Sequence, residues 1–436
     1  VLADGPAGLR IQPHRKGHNQ SYYATAFPIE TLLASTWDLD LVRAAGCALG
    51  DEVKEYGVDV WLGPGMNIHR DPRGGRNFEY YSEDPFLSGH MAAAMIAGVE
   101  SVGVGTSPKH YVANNQETNR MTVDTIVSER ALREIYLRGF EIAIRATRPW
   151  TIMTSYNQIN GTTASEHAVL LKDVLRDEWG FDGVVMTDWF SGFDPVAQMR
   201  AGNELLMPGQ EQRTRDLLAA AQNGTLDVSV LDRNVRHILK MVLRSPTYQG
   251  YEFSNAPDLA AHAEVARAAA AQGVVLLKNA GDTLPLADSI QTVAAYGKGS
   301  YDFVAGGTGS GDVNNEYTVS LVDGLEAASY RIDTALKMAY ETHIASETAK
   351  LPEKQQLFEQ LPPIPEMALS ADQLIDAAKD NDLAVVTIGR NSGEFRDRKL
   401  DGDFYLTPAE QQMMVAQYTD EQQTTLQYNI VVRAIA

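Results

Sequence analysis

Short apolar runs alternate with amphipathic helical segments from the start of the chain to about Leu243. The candidate strands lie over 27–33, 59–62, 103–107, 150–155, 183–187 and 204–207. Between them, apolar residues recur at three- and four-residue spacing, as in Val42, Ala45, Leu49 and Val53, which is typical of amphipathic helices. Such alternation predicts βαβ units and a parallel sheet. The class is therefore α/β, and the units suit a (β/α)8-like TIM-type barrel that is incomplete or collapsed.

A second domain follows the helix that is predicted up to about residue 243. Ser245, Pro246, Gly250 and Pro257 lie in a stretch without hydrophobic periodicity, which indicates a linker. Beyond it the sequence predicts a helix over 265–271 and strands over 273–277, 293–296 and 383–388. We therefore expect a barrel-like domain over 1–244, a linker over 245–260 and a second α/β domain over 261–436.

The bulk composition excludes several classes of protein. The 436-residue chain has a net charge of −20 and a pI of about 4.9, which argues against nucleic-acid binding and against acidic membrane surfaces. Its single cysteine, Cys47, provides neither an internal disulfide nor a metal cluster. We expect that residues before Val1 are missing from this sequence, so secreted, periplasmic and cytoplasmic locations all stay open.

Polar side chains follow several of the predicted strands. Asp188 ends the apolar run that begins at Gly183, and Lys109, His110 and Tyr156 follow two other runs. Because the carboxyl ends of parallel strands in a barrel meet at one rim, these side chains are expected to form a site for a hydroxyl-rich ligand. For Asp188 alone, a helix N-cap is an equally good reading.

Other motifs do not support the functions that they suggest at first sight. The His69-Arg70-Asp71 triplet lacks the correctly spaced asparagine and the other motifs of a protein kinase. The glycine-rich run over 306–311 lacks the Gly-Lys-Ser/Thr ending of a phosphate loop. The nine histidines are scattered along the chain, so no metal is expected.

A second acidic candidate, Glu394, lies in the polar loop after the strand predicted over 383–388. A glutamate in a loop is by default a solvated charge. It becomes a candidate for catalysis only if the second domain brings this loop to the mouth of the barrel.

The chain resembles glycoside hydrolase family 3 from residue 1 to about residue 412. It carries, in the order of that family, D-G-P-A-G-L-R at 4–10, G-G-R-N-F-E with S-E-D-P at 74–85, K-H-Y at 109–111, M-T-S-Y-N at 153–157, V-M-T-D-W at 185–189, G-N-E-L-L-M-P-G at 202–209 and L-L-K-N at 276–279. The most specific parts are the Lys-His pair and the T-D-W turn. The resemblance implies that 1–244 is the catalytic domain and that 261–436 is an α/β sandwich domain. Because members of the family usually continue further, we expect the sandwich domain to be incomplete at its C-terminal end.

This resemblance implies roles for individual residues. Asp188 would be the catalytic nucleophile, and Glu394 would match the general acid/base of the β-glucosidase branch. The residues that would hold the sugar are Asp4, Arg76, Lys109, His110, Arg120, Tyr156, Trp189 and Ser310. The three cations among them are expected to keep Asp188 ionised, while a drier setting is expected to raise the pKa of Glu394.

The predicted function is that of a retaining, exo-acting β-glucosidase that removes terminal non-reducing glucose without a metal or organic cofactor. Its partners would be small oligosaccharides or aryl β-glucosides, and a homo-oligomer stays open. A β-xylosidase or another exo-β-glycosidase of the family is the alternative enzyme, and a sugar-binding homologue without catalysis is the alternative of another class. The branch that uses a His-Asp pair on N-acetylglucosaminides is disfavoured because we find no such pair on a barrel loop.

Overall fold

The computed structural model of the chain describes residues 1–279, 282–353, 361–391, 393–416 and 428–435. These residues form two compact units. The first unit contains Val1–Val274 together with two short later segments, Ser310–Asn315 and Glu394–Asp397. The second contains Val275–Gly309, Glu316–Gly393 and Arg398–Ala436.

The first unit is built around a parallel arrangement of short strands. Its strands are β1 (Leu2–Ala3), β2 (Val60–Trp61), β3 (Gly105–Thr106), β4 (Asp124–Thr125), β5 (Thr151–Thr154), β6 (Gln158–Ile159), β7 (Thr162–Thr163) and β8 (Val184–Thr187). β1, β2 and β3 pair in parallel, as do β5 and β8, and parallel bridges at Tyr111–Thr154 and Met186–Leu205 extend this order. β4, β6 and β7 form a separate small sheet. The predicted α/β class is confirmed, with the parallel elements in chain order.

Helices follow the strands of this unit. They are α1 (Glu30–Ser35), α2 (Leu39–Glu55), α3 (Pro85–Glu100), α4 (Glu129–Ala131), α5 (Arg138–Thr147), α6 (Pro195–Ala201), α7 (Glu211–Gln222), α8 (Val228–Arg244) and α9 (Leu259–Gly273), with π-helical segments at Leu132–Tyr136 and Val169–Glu178. The predicted apolar face of α2 is buried in the main core of the unit.

Close packing of α2 on α3 explains two glycines. A Cβ on Gly46 would lie 2.6 Å from the carbonyl oxygen of Met95, and one on Gly98 would lie 2.3 Å from that of Arg43. Both distances are far below van der Waals contact, so any larger residue would push the helices apart. Both helices also pack against strands of the unit, α2 against β2 and α3 against β3.

Three predicted strands are wrong, and several strands, β1 among them, were missed. The segment over 27–33 is irregular up to Ile29 and then enters α1, whose buried residues Glu30, Leu33 and Ala34 recur at the spacing of a helix. The segment after Gly273 is irregular, and Leu277 is 89 % exposed because no described strand pairs with it. Leu2–Ala3 is too short for its hydrophobic pattern to reveal it. At 204–207 the structure has a single bridge at Leu205 instead of a strand.

The segment predicted as a linker is bound to the first unit. The backbone N–H and the hydroxyl of Thr247 donate to Asp59 over 2.9 and 3.0 Å, and the N–H of Asn255 donates to the carbonyl of Glu55 over 2.8 Å. Helix α9 then packs against α1 and α2, with Ala269 fully buried. The first unit therefore extends to Val274, past the boundary expected at residue 244.

The second unit is a parallel sheet with apolar clusters on both faces. Its strands β9 (Thr292–Tyr296), β10 (Arg331–Ile332), β11 (Leu383–Arg390) and β12 (Tyr428–Ile435) pair in the order β10-β9-β11-β12. Its helices are α10 (Leu321–Ala327), α11 (Thr334–Thr348), α12 (Ala371–Asp380) and α13 (Pro408–Ala416). Ala384 and Val386 face one apolar cluster, whereas Leu383 and Val385 face the other, as expected for a strand that is covered on both sides.

Across the described ranges, no helix combines the length and the apolar character that crossing a membrane requires.

Candidate active site

Buried polar residues of the first unit come together after three of its parallel strands. Asp188 follows β8, Tyr156 follows β5, and Lys109 and His110 lie just beyond β3. All four side chains are buried, at 8 % exposure or less. This is the arrangement expected from the sequence, because parallel strands deliver their C-terminal residues to one edge.

The carboxylate of Asp188 has one bonded and one free oxygen. Oδ1 accepts a hydrogen bond from the backbone N–H of Trp189 over 2.7 Å. Oδ2 has no hydrogen-bond partner among the described residues, and it lies 3.6 Å from Nε2 of His110. A buried carboxylate oxygen without a partner is costly, so this atom is available to a ligand.

The charge state of Asp188 results from opposing effects. Burial raises the pKa of this carboxyl, whereas Arg76, Arg120 and Lys109 lower it; the net pKa is raised. The three cations act in the direction expected from the sequence, but desolvation outweighs them.

His110 is neutral in this environment. Burial lowers the pKa of its imidazole far below the usual range, and the charges of Arg76, Lys109 and Arg120 lower it further. Its Nδ1 lies 3.2 Å from the hydroxyl of Tyr80 and 3.3 Å from Oδ1 of Asn67. These neighbours hold the ring so that Nε2 faces Asp188, where a neutral imidazole suits hydroxyl recognition.

Lys109 is paired with Asp4. Its Nζ lies 3.2 Å from Oδ1 of Asp4, and Lys109 is only 1 % exposed. Burial lowers the pKa of the ammonium, but Asp4 and Glu79 raise it more, so the group stays charged. Trp189, on the other side of Asp188 in sequence, is half-buried against a cluster that contains Leu62, Met153 and Met186.

Arg76 links two carboxylates. Its Nε donates to Oε1 of Glu79, and its Nη1 lies 3.9 Å from Oε1 of Glu394. Nη2 is 3.5 Å from the hydroxyl of Ser310. Nη1 has no hydrogen-bond partner within the described part of the chain, so it remains open to a ligand.

Glu394 and Ser310 belong to the first unit, although the sequence assigned both to the second domain. Oε1 of Glu394 accepts from Nη1 of Arg120 over 2.9 Å, and Oε2 accepts from the N–H of Ser310 over 2.8 Å. Burial raises the pKa of this carboxyl, but Arg76, Arg120 and the N–H of Ser310 lower it to about 2. The expectation of a raised pKa is wrong, because the site is dry but strongly cationic.

The guanidinium of Arg120 is held on several sides. Its Nη1 also donates to Oε2 of Glu117 over 2.7 Å. The group lies over the ring of Tyr156 at 4.7 Å and over the ring of Phe395 at 4.4 Å. Stacking between aromatic rings in this way fixes the plane of the guanidinium and so the position of its bond to Glu394.

Three further acidic residues were missed at the level of sequence. Glu79 and Glu117 each pair with an arginine three positions away, and Asp397 binds the backbone of two loops. The Arg76–Glu79 and Glu117–Arg120 spacings were visible as polar i,i+3 pairs. Asp397 had no such local signal, because its partners lie 279 to 322 positions away.

Within the described ranges, no group of three His, Cys, Asp or Glu side chains is arranged to hold a metal ion.

Two family models cover most of this chain. The glycosyl hydrolase family 3 N-terminal domain matches residues 13–241, and the family 3 C-terminal domain matches residues 274–435. The chain belongs to glycosyl hydrolase family 3. The resemblance found in the sequence motifs is thereby confirmed.

Curated relatives in family 3 carry more than one name. The chain is 43 % identical over 336 residues to β-glucosidase B of Emericella nidulans, a match that covers 75 % of this chain and 39 % of the relative. It is 40 % identical over 350 residues to an exo-α-(1→6)-L-arabinopyranosidase of Bifidobacterium longum, covering 77 % of this chain and 46 % of the relative. The chain thus matches less than half the length of either relative.

A solved family 3 structure has the same fold over nearly the whole chain. The structure of β-glucosidase 3B from Thermotoga neapolitana in complex with glucose superimposes with a TM-score of 0.93 and 48 % sequence identity. The match covers 99 % of this chain and 61 % of the other.

Proposed function

We propose that this chain has the activity of a retaining, exo-acting β-glucosidase. The observation that carries the proposal is the pair of buried carboxylates, Asp188 and Glu394, among three cations in one compact unit. Retaining glycosidases need two carboxyl groups, one as nucleophile and one as acid/base. The printed names of the Emericella and Thermotoga relatives support glucose as the sugar.

In the proposed first step, Oδ2 of Asp188 attacks the anomeric carbon. This oxygen has no hydrogen bond to give up among the described residues, whereas Oδ1 keeps its bond to the N–H of Trp189. The bond between the anomeric carbon and the glycosidic oxygen breaks, and Glu394 passes a proton to the departing oxygen. The product is a glycosyl ester on Asp188 and a free alcohol.

In the second step, water attacks the anomeric carbon of the ester. Glu394, now a carboxylate, takes a proton from that water, and the bond to Asp188 breaks. Two inversions at the same carbon leave the product with the configuration of the substrate.

The remaining polar residues are proposed to bind the sugar. Lys109 with Asp4, neutral His110 and the open Nη1 of Arg76 offer donors and acceptors for hydroxyl groups. Tyr156 and Ser310 add hydroxyls, Arg120 adds a charge, and Trp189 offers an apolar face for the ring. No step in this scheme needs a metal or an organic cofactor.

The alternative is another exo-glycosidase of the family. The relative from Bifidobacterium longum is named as an arabinopyranosidase at 40 % identity, so the sugar is open to direct test. A β-xyloside lacks the hydroxymethyl group of a β-glucoside, so discrimination between them depends on whether the site hydrogen-bonds the hydroxyl of that group.

Release of nitrophenol from a panel of aryl glycosides tests the proposal. The panel contains β-D-glucoside, β-D-xyloside, α-L-arabinopyranoside and N-acetyl-β-D-glucosaminide, and we expect the highest kcat/KM for the glucoside. Proton NMR should show β-glucose as the first product, which reports retention. A preference for another sugar would replace glucose in the proposal. Binding of glucose by titration calorimetry, with no turnover of any substrate, would favour the sugar-binding homologue.

A further inference from the structure

We propose that Asp397 is a positioning residue, which fixes Glu394 between Arg76 and Arg120 for proton transfer. The proposal deepens the function proposed above and rests on it. Asp397 does not need to touch the substrate; its part is to join the backbone segments on which the acid/base and its two cations are carried.

The carboxylate of Asp397 accepts hydrogen bonds from two separate loops. Oδ1 accepts from the N–H of Gly75 over 3.0 Å and from the N–H of Glu117 over 2.9 Å. Oδ2 accepts from the N–H of Thr118 over 2.9 Å and from its hydroxyl over 2.6 Å. Bonds from N–H groups to a carboxylate are short and strong, so one side chain binds both loops firmly.

Each of these loops carries a cation of the site. Gly75 directly precedes Arg76, and Thr118 lies two residues before Arg120. Glu394 itself is three residues before Asp397. One carboxylate therefore ties together the three segments that place the Glu394 carboxyl and both of the guanidinium groups that lower its pKa.

Glu117 provides a second tie between the same segments. Its Oε2 accepts from Nη1 of Arg120 over 2.7 Å and from the N–H of Phe395 over 2.8 Å. Phe395 has a φ of 80°, in the left-handed region that a bulky residue rarely adopts. Such a conformation persists where surrounding contacts hold it, and the bond to Glu117 is one of these contacts.

Apolar burial does little to hold the segment that contains Glu394. Phe395 is 49 % exposed, and Arg396 is exposed as well. The position of Glu394–Asp397 in the first unit thus depends on polar contacts, and the side chain of Asp397 accepts four of them. Loss of these contacts should misplace the acid without removing it.

The test compares Asp397→Ala with Glu394→Ala on two substrates. Cellobiose has a poor leaving group and needs the acid, whereas 2,4-dinitrophenyl β-glucoside does not. We expect Asp397→Ala to lower kcat/KM for cellobiose about 100-fold and that for the dinitrophenyl glucoside less than about 10-fold, in the same sense as Glu394→Ala. Asp397→Asn keeps one acceptor oxygen, so it should recover part of the cellobiose activity; it also serves if the alanine variant does not fold.

Asp382 provides a matched control. Its Oδ2 accepts from the N–H groups of Gln291 and Thr292 over 2.9 and 3.0 Å and from the hydroxyl of Thr292 over 3.0 Å, within the second unit. Asp382→Ala should lower thermal stability but leave the ratio of the two activities unchanged.

The possible failures are distinguishable. A wild-type protein without activity on any aryl glucoside overturns the proposed function, and the role of Asp397 falls with it. A different result overturns the role of Asp397 alone. In it the wild type is active and Glu394→Ala keeps its activity on the dinitrophenyl glucoside, but Asp397→Ala and Asp397→Asn lower kcat/KM for both substrates by the same factor. The same holds if Asp382→Ala changes the ratio as Asp397→Ala does.

Discussion

Nη1 of Arg120 donates a hydrogen bond to Oε1 of Glu394 over 2.9 Å. The residue proposed as acid/base is therefore ion-paired in the free protein, with a pKa of about 2, while burial raises the pKa of the proposed nucleophile, Asp188. The form that the proposed mechanism requires, with Asp188 ionised and Glu394 protonated, is then a minor form of the coupled pair. Its population depends on the cations around both carboxyl groups.

Replacing Arg120 by glutamine should move the pH dependence of activity. Arg120 lowers the pKa of both Glu394 and Asp188, so removing its charge raises both apparent pKa values of the pair. We expect both limbs of the kcat/KM profile for cellobiose to move to higher pH by about 1 unit. The exposed Arg130, replaced in the same way, is the control. Limbs that stay in place would contradict the electrostatic role of Arg120.

Asp188→Asn should retain sugar binding and lose several orders of magnitude in turnover, because no glycosyl ester can form. A 2-deoxy-2-fluoro glucoside with a dinitrophenyl leaving group should label the wild-type protein at Asp188. Mass spectrometry of the peptides locates the label. Its appearance on any other carboxylate would transfer the nucleophile assignment to that residue.

Glu394→Ala should strongly lower the rate of cellobiose cleavage. The rate of the first step with dinitrophenyl glucoside should fall much less, since a good leaving group departs without a proton. The glycosyl ester then accumulates because no base activates water. Azide, which needs no base, should release it as β-glucosyl azide, and this product is detected by NMR. Equal loss with both substrates and no rescue by azide would mean that another residue is the acid.

Lys109→Ala should lower kcat/KM by about 100-fold, because a buried charged donor is lost and Asp4 is left without it. The same change at exposed Lys240 should have no effect. EDTA should leave the wild-type activity unchanged if the Lys109–His110 pair binds hydroxyls instead of a metal. Loss of activity in EDTA that zinc restores would refute this.

The sequence predicts the part of the site that depends on local chain order. Asp188 ends a run of four fully buried strand residues, β8, and such an apolar run is recognisable without a structure. The electrostatics of Glu394 could not be predicted in this way. Its bond to Arg120 joins residues 274 positions apart, and no hydrophobic pattern reports such a contact. Burial alone suggested a raised pKa, but the long-range cations reverse the shift.

Short or exposed elements were the other source of error. β1 has only two residues, a single period of the pattern that identifies strands. The segment after Gly273 is apolar enough for a strand but has no partner strand in the described residues, so its composition was misleading. Strand formation depends on a neighbour, which a single segment of sequence does not specify.

Glu100, at the end of α3 and outside the site, should make stability fall as pH rises. Its Oε1 accepts from the N–H and hydroxyl of Thr106 and from the N–H of Trp150, yet burial raises the pKa of this carboxyl to about 7. Because the folded protein holds this proton more tightly than the unfolded chain, its contribution to stability is lost as pH rises from about 4.5 to 7.

Glu100→Gln keeps the acceptor and does not ionise. The free energy of unfolding of this variant relative to wild type should therefore increase by about 3 kcal/mol between pH 4.5 and pH 8. Denaturant unfolding followed by tryptophan fluorescence measures this, with exposed Glu211→Gln as the control. A difference that does not depend on pH would show that Glu100 ionises alike in the folded and unfolded chain.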